Sequence, residues 1–427
     1  MTEVTQTMLL PGVHLTAVRT KKFKSCALGA EFLVPLSREE AAANALVPSV
    51  LRRGTADRPD MEALSAALDE LYGGSVEPSV RRKGETQCVG FVASFLDDAY
   101  TPGGEAILEP AAALLGDLLL RPALEQGGFR PAYVEGERSN LIDRIRAQIN
   151  DKRQYALNRV VAEMCAGEPF GVDKLGDEAH AAAITGEGLW ARYRDLLEHA
   201  WIELYYCGSA DLERVKGALL SALDGLPEGG TRIRPAAPEK RPAPAQPRLV
   251  EEALDVTQGK LTMGFRTGDI DVHSPAFPAL MLCNALYGGT TTSKLFLNVR
   301  EKRSLCYYAS SQLEKLKGVM LISSGVEFDK VDEAKDEIFA QLKAVQAGEF
   351  EDWELEGARR SVVSALNTTL DAQGRLEDYW LGQAAAGLDE GPEALGARVE
   401  RVTRQQVVEA AARLTPDTIY FLKGKEA

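Results

Sequence analysis

The sequence predicts an α+β fold of two homologous domains, each a mostly antiparallel sheet covered by helices. The chain has 427 residues, which is too long for one hydrophobic core. Strand pairs alternate with helix pairs, in the same order in both halves. A stretch rich in Pro, Gly and Ala separates the halves. We therefore divide the chain into an N-terminal domain (1–226), a linker (227–247) and a C-terminal domain (248–427), and expect the two domains to form a clamshell.

In the first half, segments with the two-residue hydrophobic period of strands alternate with segments that have the 3.6-residue period of helices. Apolar runs and period-two alternation predict strands at 13–18, 25–34, 75–82, 86–95 and 202–207. Helical spacing of apolar residues predicts helices at 39–51, 61–72, 110–120, 131–149, 155–165, 187–199 and 211–223. Pro48 lies inside the first of these helices. Since proline costs roughly 3 kcal/mol in a helix interior, we expect a kink or break there.

The second half repeats this order. Strands are predicted at 261–266, 305–312, 318–325 and 418–423. Helices are predicted at 276–286, 294–303, 331–346, 353–372, 376–387 and 403–412. Gly288-Gly289 is expected to form a turn. Because the segment 290–325 repeats the helix-turn-strand order of 61–95, we interpret the chain as an internal duplication.

Composition excludes several function classes. The formal net charge of −14 argues against nucleic acid and against an anionic membrane surface. Six dispersed cysteines form no C-x-x-C pair, as expected for reduced thiols in a cytoplasmic protein. The four histidines contain no i, i+4 pair, so one helix cannot build a zinc site alone. With neither a signal peptide nor an apolar run that could span a bilayer, we expect a cytoplasmic protein.

The densest group of polar functional side chains is Ser293 to Tyr308, which reads SKLFLNVREKRSLCYY. A charged helix there leads into an aromatic strand. Arg300 offers a planar donor fork and Tyr307 a phenol. The residues alone also fit a surface helix followed by a core strand. The sequence contains no P-loop, dinucleotide-binding fingerprint or nucleophile elbow.

These motifs resemble the pitrilysin/insulinase family of zinc metallopeptidases, which includes the mitochondrial processing peptidases. The resemblance spans nearly the whole chain and is most specific in the second half. There a Gly-Gly turn precedes Ser293-Lys294-Leu295-Phe296 and then the run from Arg300 to Tyr307. In the first half, the family's zinc helix ends in a basic residue followed by Gly-Thr. Arg53-Gly54-Thr55 does the same.

The zinc ligands of that family are replaced. Its inverted His-x-x-Glu-His helix corresponds here to Ala45, Pro48 and Ser49, and its third ligand to Arg144, seven residues after Glu137 of a Glu-Arg pair. Zinc catalysis needs three protein ligands and an open position. The resemblance therefore implies no cofactor in this chain and no peptidase activity from the chain by itself.

The resemblance further implies a non-catalytic subunit of a peptidase pair. Arg300 and Tyr307 match an Arg and a Tyr that bind the substrate backbone and stabilise the oxyanion in active relatives. They would then serve the active site of a zinc-bearing partner, which is a paralogue encoded by an adjacent gene. The alternatives are a peptide-binding scaffold without proteolysis, as a monomer or homodimer, and a metal hydrolase that uses other ligands.

Peptide substrate is expected to add as a strand beside residues 75–81. The candidate binding residues are Ser75, Val76, Glu77, Ser79 and Arg81. The basic run Arg81-Arg82-Lys83 favours an acidic peptide. The segment Pro59 to Gly73 resembles a narrower bacterial group associated with aminopentanol modification of elongation factor P.

Overall fold

The computed structural model describes residues 2–228 and 230–425, and the chain forms two compact units. Unit 1 contains Met1–Arg146, Val172–Ala236 and Ala372–Asp389. Unit 2 contains Ala147–Gly171, Ala237–Asp371 and Glu390–Ala427. The units therefore do not coincide with the two halves of the sequence. Within the described residues, every helix is too short or too polar to cross a bilayer.

Unit 1 is built on a mixed sheet. Its strands are β1 (Glu3–Leu10), β2 (Val13–Arg19), β3 (Ser25–Pro35), β4 (Ser75–Lys83), β5 (Thr86–Leu96) and β8 (Trp201–Gly208). They lie in the order β1-β2-β8-β3-β5-β4, and every pairing is antiparallel except that of β2 with β8. A separate short hairpin joins β6 (Leu124–Glu125) and β7 (Gly128–Phe129). Strand β4, where the peptide was predicted to add, is an edge strand.

Helices cover the sheet of unit 1 because their apolar faces match its alternating side chains. They are α1 (Ala41–Leu51), α2 (Met61–Glu70), α3 (Leu108–Leu120), α4 (Pro131–Ala147), α6 (Glu178–Ala183), α7 (Gly186–His199), α8 (Leu212–Ala222) and α12 (Gln373–Ala386). Most of them bury one face in a single core with the sheet. Helix α12 packs Leu381 and Ala385 against Leu33, Cys88 and Trp201 in a separate cluster.

Unit 2 has a second sheet, whose five strands correspond in order to five of the six strands of unit 1 read from β4 to β2. Its strands are β9 (Arg248–Leu254), β10 (Gly259–Arg266), β11 (Cys306–Glu314), β12 (Val319–Val326) and β13 (Thr415–Gly424), ordered β11-β12-β10-β13-β9. Its helices are α5 (Lys152–Met164), α9 (Phe277–Asn284), α10 (Val331–Gln346), α11 (Asp352–Thr369), α13 (Pro392–Glu400) and α14 (Arg404–Ala412). Two π-helical segments, Ala285–Gly289 and Leu295–Lys302, lie between α9 and β11.

Each unit takes one helix from the other half of the sequence. Helix α5 precedes the linker, yet it packs in unit 2 against residues of β12 and β13. Helix α12 follows the linker, yet it packs in unit 1. Each of these helices follows a long helix, α4 or α11. We therefore treat α5 and α12 as equivalent elements of the duplicated halves.

Several local details differ from the sequence-based expectation. Helix α1 is not broken at Pro48, and the Arg52 amide donates to the Pro48 carbonyl at 3.0 Å. Strand β1 was not predicted at all, because it is mostly Thr, Gln and exposed apolar residues. The Gly288-Gly289 turn is the end of a π-helical segment. A Cβ on Gly288 would lie 2.7 Å from the backbone nitrogen of Ser311 on β11, so only glycine fits this approach.

Candidate functional site

The family's zinc-ligand positions hold no zinc donors. Helix α1 buries Ala45 and Pro48 and leaves Ser49 half-buried, whereas Arg144 is exposed on α4. Zn²⁺ binds imidazole, thiolate and carboxylate ligands. These four positions offer instead a methyl group, a pyrrolidine ring, a hydroxyl and a guanidinium. The described residues likewise contain no group of three His, Cys, Asp or Glu side chains placed to hold a metal. Zinc therefore does not fit the side chains at these four positions.

An ion pair links α4 to the residues that follow α1, the two helices that would carry the zinc ligands. Arg53, just after α1, places Nη1 3.2 Å from Oε1 of Glu137 on α4. The guanidinium of Arg53 also lies 5.2 Å from the ring centre of Tyr133. The carboxylate of Glu137, the acidic member of the Glu-Arg pair, is thus held by a cation that follows α1. This contact joins α1 to α4 without a metal.

The backbone of β4 presents an open edge with a defined orientation. Pro78 has no N–H, so it fits β4 only where its nitrogen faces away from β5. Arg52 donates from Nε to the Val76 carbonyl at 2.6 Å. The carbonyl of Val76, two residues before Pro78, therefore also faces away from β5. By the two-residue alternation, the amide and carbonyl of Val80 also face outward. The edge can therefore pair with an added strand through the amide and carbonyl of Val80 and through the carbonyl of Pro78, whereas Arg52 occupies the carbonyl of Val76.

A groove of about 530 Å³ runs beside the predicted peptide-binding residues. Four of these five residues line it: Ser75, Glu77, Ser79 and Arg81. Val76 instead points its side chain into the core, where it is fully buried. The rest of the lining comes from β3, β5 and the first turns of α12: Ala27, Leu28, Val92, Ala93, Ser94, Gln373, Gly374 and Glu377.

The first turn of α12 is fixed to the sheet by Gln373. Its Nε2 donates to the Ser25 carbonyl at 2.8 Å and to the Cys207 carbonyl at 3.1 Å. Ser25 in turn donates from Oγ to Gln373 Oε1 at 2.7 Å. Sequence reasoning missed the contribution of α12 to the groove. The local pattern predicts a helix there, but it does not indicate which strands the helix packs against. Glu377 on α12 and Val92–Ser94 on β5 line the same groove, although they are more than 270 residues apart in the chain.

Two of the three cations in the basic run at the end of β4 are paired with carboxylates inside unit 1, so the expectation of an acidic peptide loses much of the positive charge on which it was based. Arg81 contacts Glu377 at 2.5 Å and Glu31 at 2.6 Å. Lys83 places Nζ 2.6 Å from Oδ1 of Asp378. Both cations are therefore paired with carboxylates and do not form a free positive patch.

Glu31 lies beneath this pair and is almost completely buried. Burial raises the pKa of Glu31 to about 7, and the attraction of Arg81 offsets only part of that effect. Its Oε2 has no hydrogen-bond partner in the structure. Burial thus raises the pKa of a carboxyl group that contacts Arg81 but lies outside the lining of the groove.

Arg300 and Tyr307 both lie on the surface of unit 2. Arg300 belongs to the π-helical segment Leu295–Lys302, and its guanidinium stacks on Phe296 at 4.7 Å from the ring centre. Its side chain is 40% exposed and its Nε lies 3.6 Å from Glu301. Tyr307 is 60% exposed, with a single long hydrogen bond of 3.4 Å to Glu327. Both side chains can therefore reach a ligand without breaking a buried contact.

Comparisons with known proteins match one family model to part of the chain and a relative to nearly all of it. The family model described as the Peptidase M16 inactive domain matches residues 183–362. The chain is 34% identical over 415 residues to the "Probable inactive metalloprotease YmfF" of Bacillus subtilis (strain 168), covering 97% of this chain and 96% of that protein.

Solved structures show the same fold. A conserved protein from Enterococcus faecalis V583 superposes with a TM-score of 0.89 at 25% identity, covering 99% of both chains. A peptidase M16 inactive domain from Pseudomonas fluorescens gives a TM-score of 0.80 at 16% identity, covering 99% of this chain and 98% of that chain. These matches confirm the predicted α+β fold and the predicted family resemblance. The narrower resemblance to proteins associated with elongation factor P modification stays a prediction.

Proposed function

The chain belongs to the M16 peptidase family, and from this premise we propose that it is the non-catalytic subunit of a peptidase pair. In this proposal it binds the substrate peptide, while a zinc-bearing paralogue performs hydrolysis. Arg300 and Tyr307 act in the active site of that partner. Zinc is thus a cofactor of the partner and not of this chain.

The observation that carries the proposal is the combination of an open edge and a groove at β4. An extended peptide that pairs with the backbone around Val80 would direct every second side chain toward the groove. Main-chain hydrogen bonds would supply affinity, and the groove would supply selectivity. The replaced zinc ligands at Ala45, Pro48, Ser49 and Arg144 support the assignment of hydrolysis to another chain.

The chemistry of Arg300 and Tyr307 supports the second part of the proposal. Hydrolysis of a peptide bond converts a neutral carbonyl into an oxyanion, which donors stabilise only when they are already in place. A guanidinium and a phenol are both such donors. Both side chains are exposed, as expected of donors that contact a substrate bound to the partner.

The proposal is tested by mixing this chain with the product of the adjacent gene. Co-purification and cleavage of a quenched fluorescent peptide are measured for each chain alone and for the mixture. We expect cleavage by the mixture, and a loss of about 100-fold or more in kcat for Arg300→Ala or Tyr307→Phe, the usual cost of removing an oxyanion donor. Assembly of the pair should be unchanged.

Arg303→Ala is the matched control, because Arg303 follows the same π-helical segment but pairs with Glu333 and Glu337 within unit 2. Its turnover should equal that of the wild type. Unchanged turnover in the Arg300 and Tyr307 variants would refute the shared active site. Peptide binding without cleavage by the mixture would instead favour the scaffold function. Stoichiometric zinc in this chain alone would refute the proposal as a whole.

A further inference from the structure

We propose that the groove beside β4 selects an extended peptide with a Lys or Arg opposite Glu77 and a bulky uncharged side chain two residues away, opposite Ser79. This inference rests on the proposed function, in which a peptide adds to β4 as a strand. Side chains on one face of a strand recur every second residue, about 7 Å apart. Directly opposed side chains of paired strands are in contact.

The size of the groove follows from the small side chains of its lining. Ser75, Ser79 and Ser94 contribute only hydroxymethyl groups, and Ala27 only a methyl group. The resulting volume of about 530 Å³ falls in the range of pockets that bind organic ligands. A Leu or Phe side chain of an added strand can be buried there against Val92, which lies directly opposite Glu77 on β5. Burial of such a side chain contributes about 1.5–3 kcal/mol to binding.

The charges of the groove determine which side chains it rejects. Arg81 and Glu377, which both line the groove, are paired with each other at 2.5 Å. Glu77 is exposed, and no cation of the described chain pairs with it. The uncompensated charge of the groove is therefore negative. An acidic residue opposite Glu77 would be repelled, whereas Lys or Arg would form a cross-strand ion pair.

The duplicated half provides an internal comparison. Helix α5 begins with Lys152-Arg153, and Arg153 lies 4.2 Å from the ring centre of Tyr308 and donates to Ser310 Oγ at 3.1 Å on β11. That side chain fills the position in unit 2 that corresponds to the groove. Helix α12 has Gly374 at the equivalent second position, where an added Cβ would meet no atom within 4 Å. Glycine therefore keeps the groove of unit 1 open.

The inference is tested by fluorescence anisotropy with the full-length chain and three dye-labelled nonapeptides. Their central residues are Leu-Thr-Lys-Thr-Leu, Leu-Thr-Glu-Thr-Leu or Ala-Thr-Lys-Thr-Ala. We expect the Leu/Lys peptide to bind at least about tenfold more tightly than the other two, since both the ion pair and the buried side chains favour it. Glu77→Lys should reverse the preference between the Lys and Glu peptides.

Gly374→Arg should weaken binding of the Leu/Lys peptide by at least about tenfold, because the new side chain fills the groove as Arg153 does in unit 2. Gly217→Arg is the matched control, since Gly217 is an exposed glycine of α8 with equally open surroundings. Gly374→Met fills the groove without adding charge, and far-UV circular dichroism checks the folding of each variant.

The outcomes separate the inference from the proposed function. Equal binding of all three peptides, with no effect of either Gly374 variant, would overturn the selectivity and leave strand addition intact. Binding of none of the peptides to the wild-type chain would overturn strand addition itself. Loss of binding in the Gly217→Arg control would show that added charge and not groove filling is responsible, and would also overturn the inference.

Discussion

Replacement of Glu31 by Gln should change the pH dependence of stability in a defined direction. Glu31 is almost completely buried on β3, next to Arg81. Its pKa is raised from 4.5 to about 7, mainly by burial. Gln has the shape of the protonated carboxyl group and cannot ionise. Arg81 keeps its second partner, Glu377, so the substitution does not leave a buried cation unpaired.

The magnitude and the sign follow from linkage. Because the folded state binds the Glu31 proton more tightly than the unfolded state, the group's stabilising contribution is complete below about pH 4.5. It is lost as the pH rises through about 7. One unit of pKa corresponds to about 1.4 kcal/mol, so the shift is equivalent to roughly 3 kcal/mol. We expect Glu31→Gln to equal the wild type near pH 4.5 and to exceed its stability by roughly 1–3 kcal/mol at pH 8.

The measurement is urea denaturation of both proteins at several pH values between 4.5 and 8. The difference between the two free energies of unfolding isolates Glu31 from all other titrating groups. Glu135→Gln serves as control, because Glu135 is 70% exposed on α4 and should not alter the curve. Parallel curves for Glu31→Gln and wild type would refute the claim that burial dominates this carboxyl group. A variant that is less stable at pH 8 would show that the Arg81 contact outweighs burial.

Two further substitutions test other parts of the structure. Glu168→Gln should lower the free energy of unfolding by roughly 3–5 kcal/mol in urea titration, because it removes the carboxylate that neutralises buried Arg266 and Lys317, each 2.6 Å away. These two cations hold the pKa of Glu168 below its usual range, although burial alone would raise it, so the effect should persist at pH 7 and fade only in acid. Glu163→Gln, at a half-exposed ion pair, should cost at most about 1 kcal/mol; an equal loss in both variants would contradict the argument from burial. Val80→Pro should abolish peptide binding while circular dichroism shows a folded chain, since it removes the outward N–H of β4; undiminished binding would exclude strand addition there.

Much of the local structure could be predicted because it depends on short-range patterns. The two hydrophobic periods placed most strands and helices within a few residues of their observed ends. Helix α1 is an instructive exception, because Pro48 did not break it. Most residues around Pro48 are buried, including Leu46, Val47 and Val50, and their packing outweighs the cost of proline. Propensity is local, whereas packing depends on the whole unit.

The sequence alone predicted the α+β fold, because the order of strands and helices can be read from the hydrophobic pattern. It also showed which residues stand at the positions that the family resemblance assigns to zinc ligands, namely Ala45, Pro48, Ser49 and Arg144. Only the tertiary structure decided that α5 and α12 each pack in the unit of the other half. It also decided that Arg81 is neutralised and that the groove stays open at Gly374. Arg81 and Glu377 are 296 residues apart in the chain, and no local pattern encodes a contact between residues so distant. Such contacts form because each sheet must cover both of its apolar faces, and the fold brings the covering helix from wherever the chain supplies it.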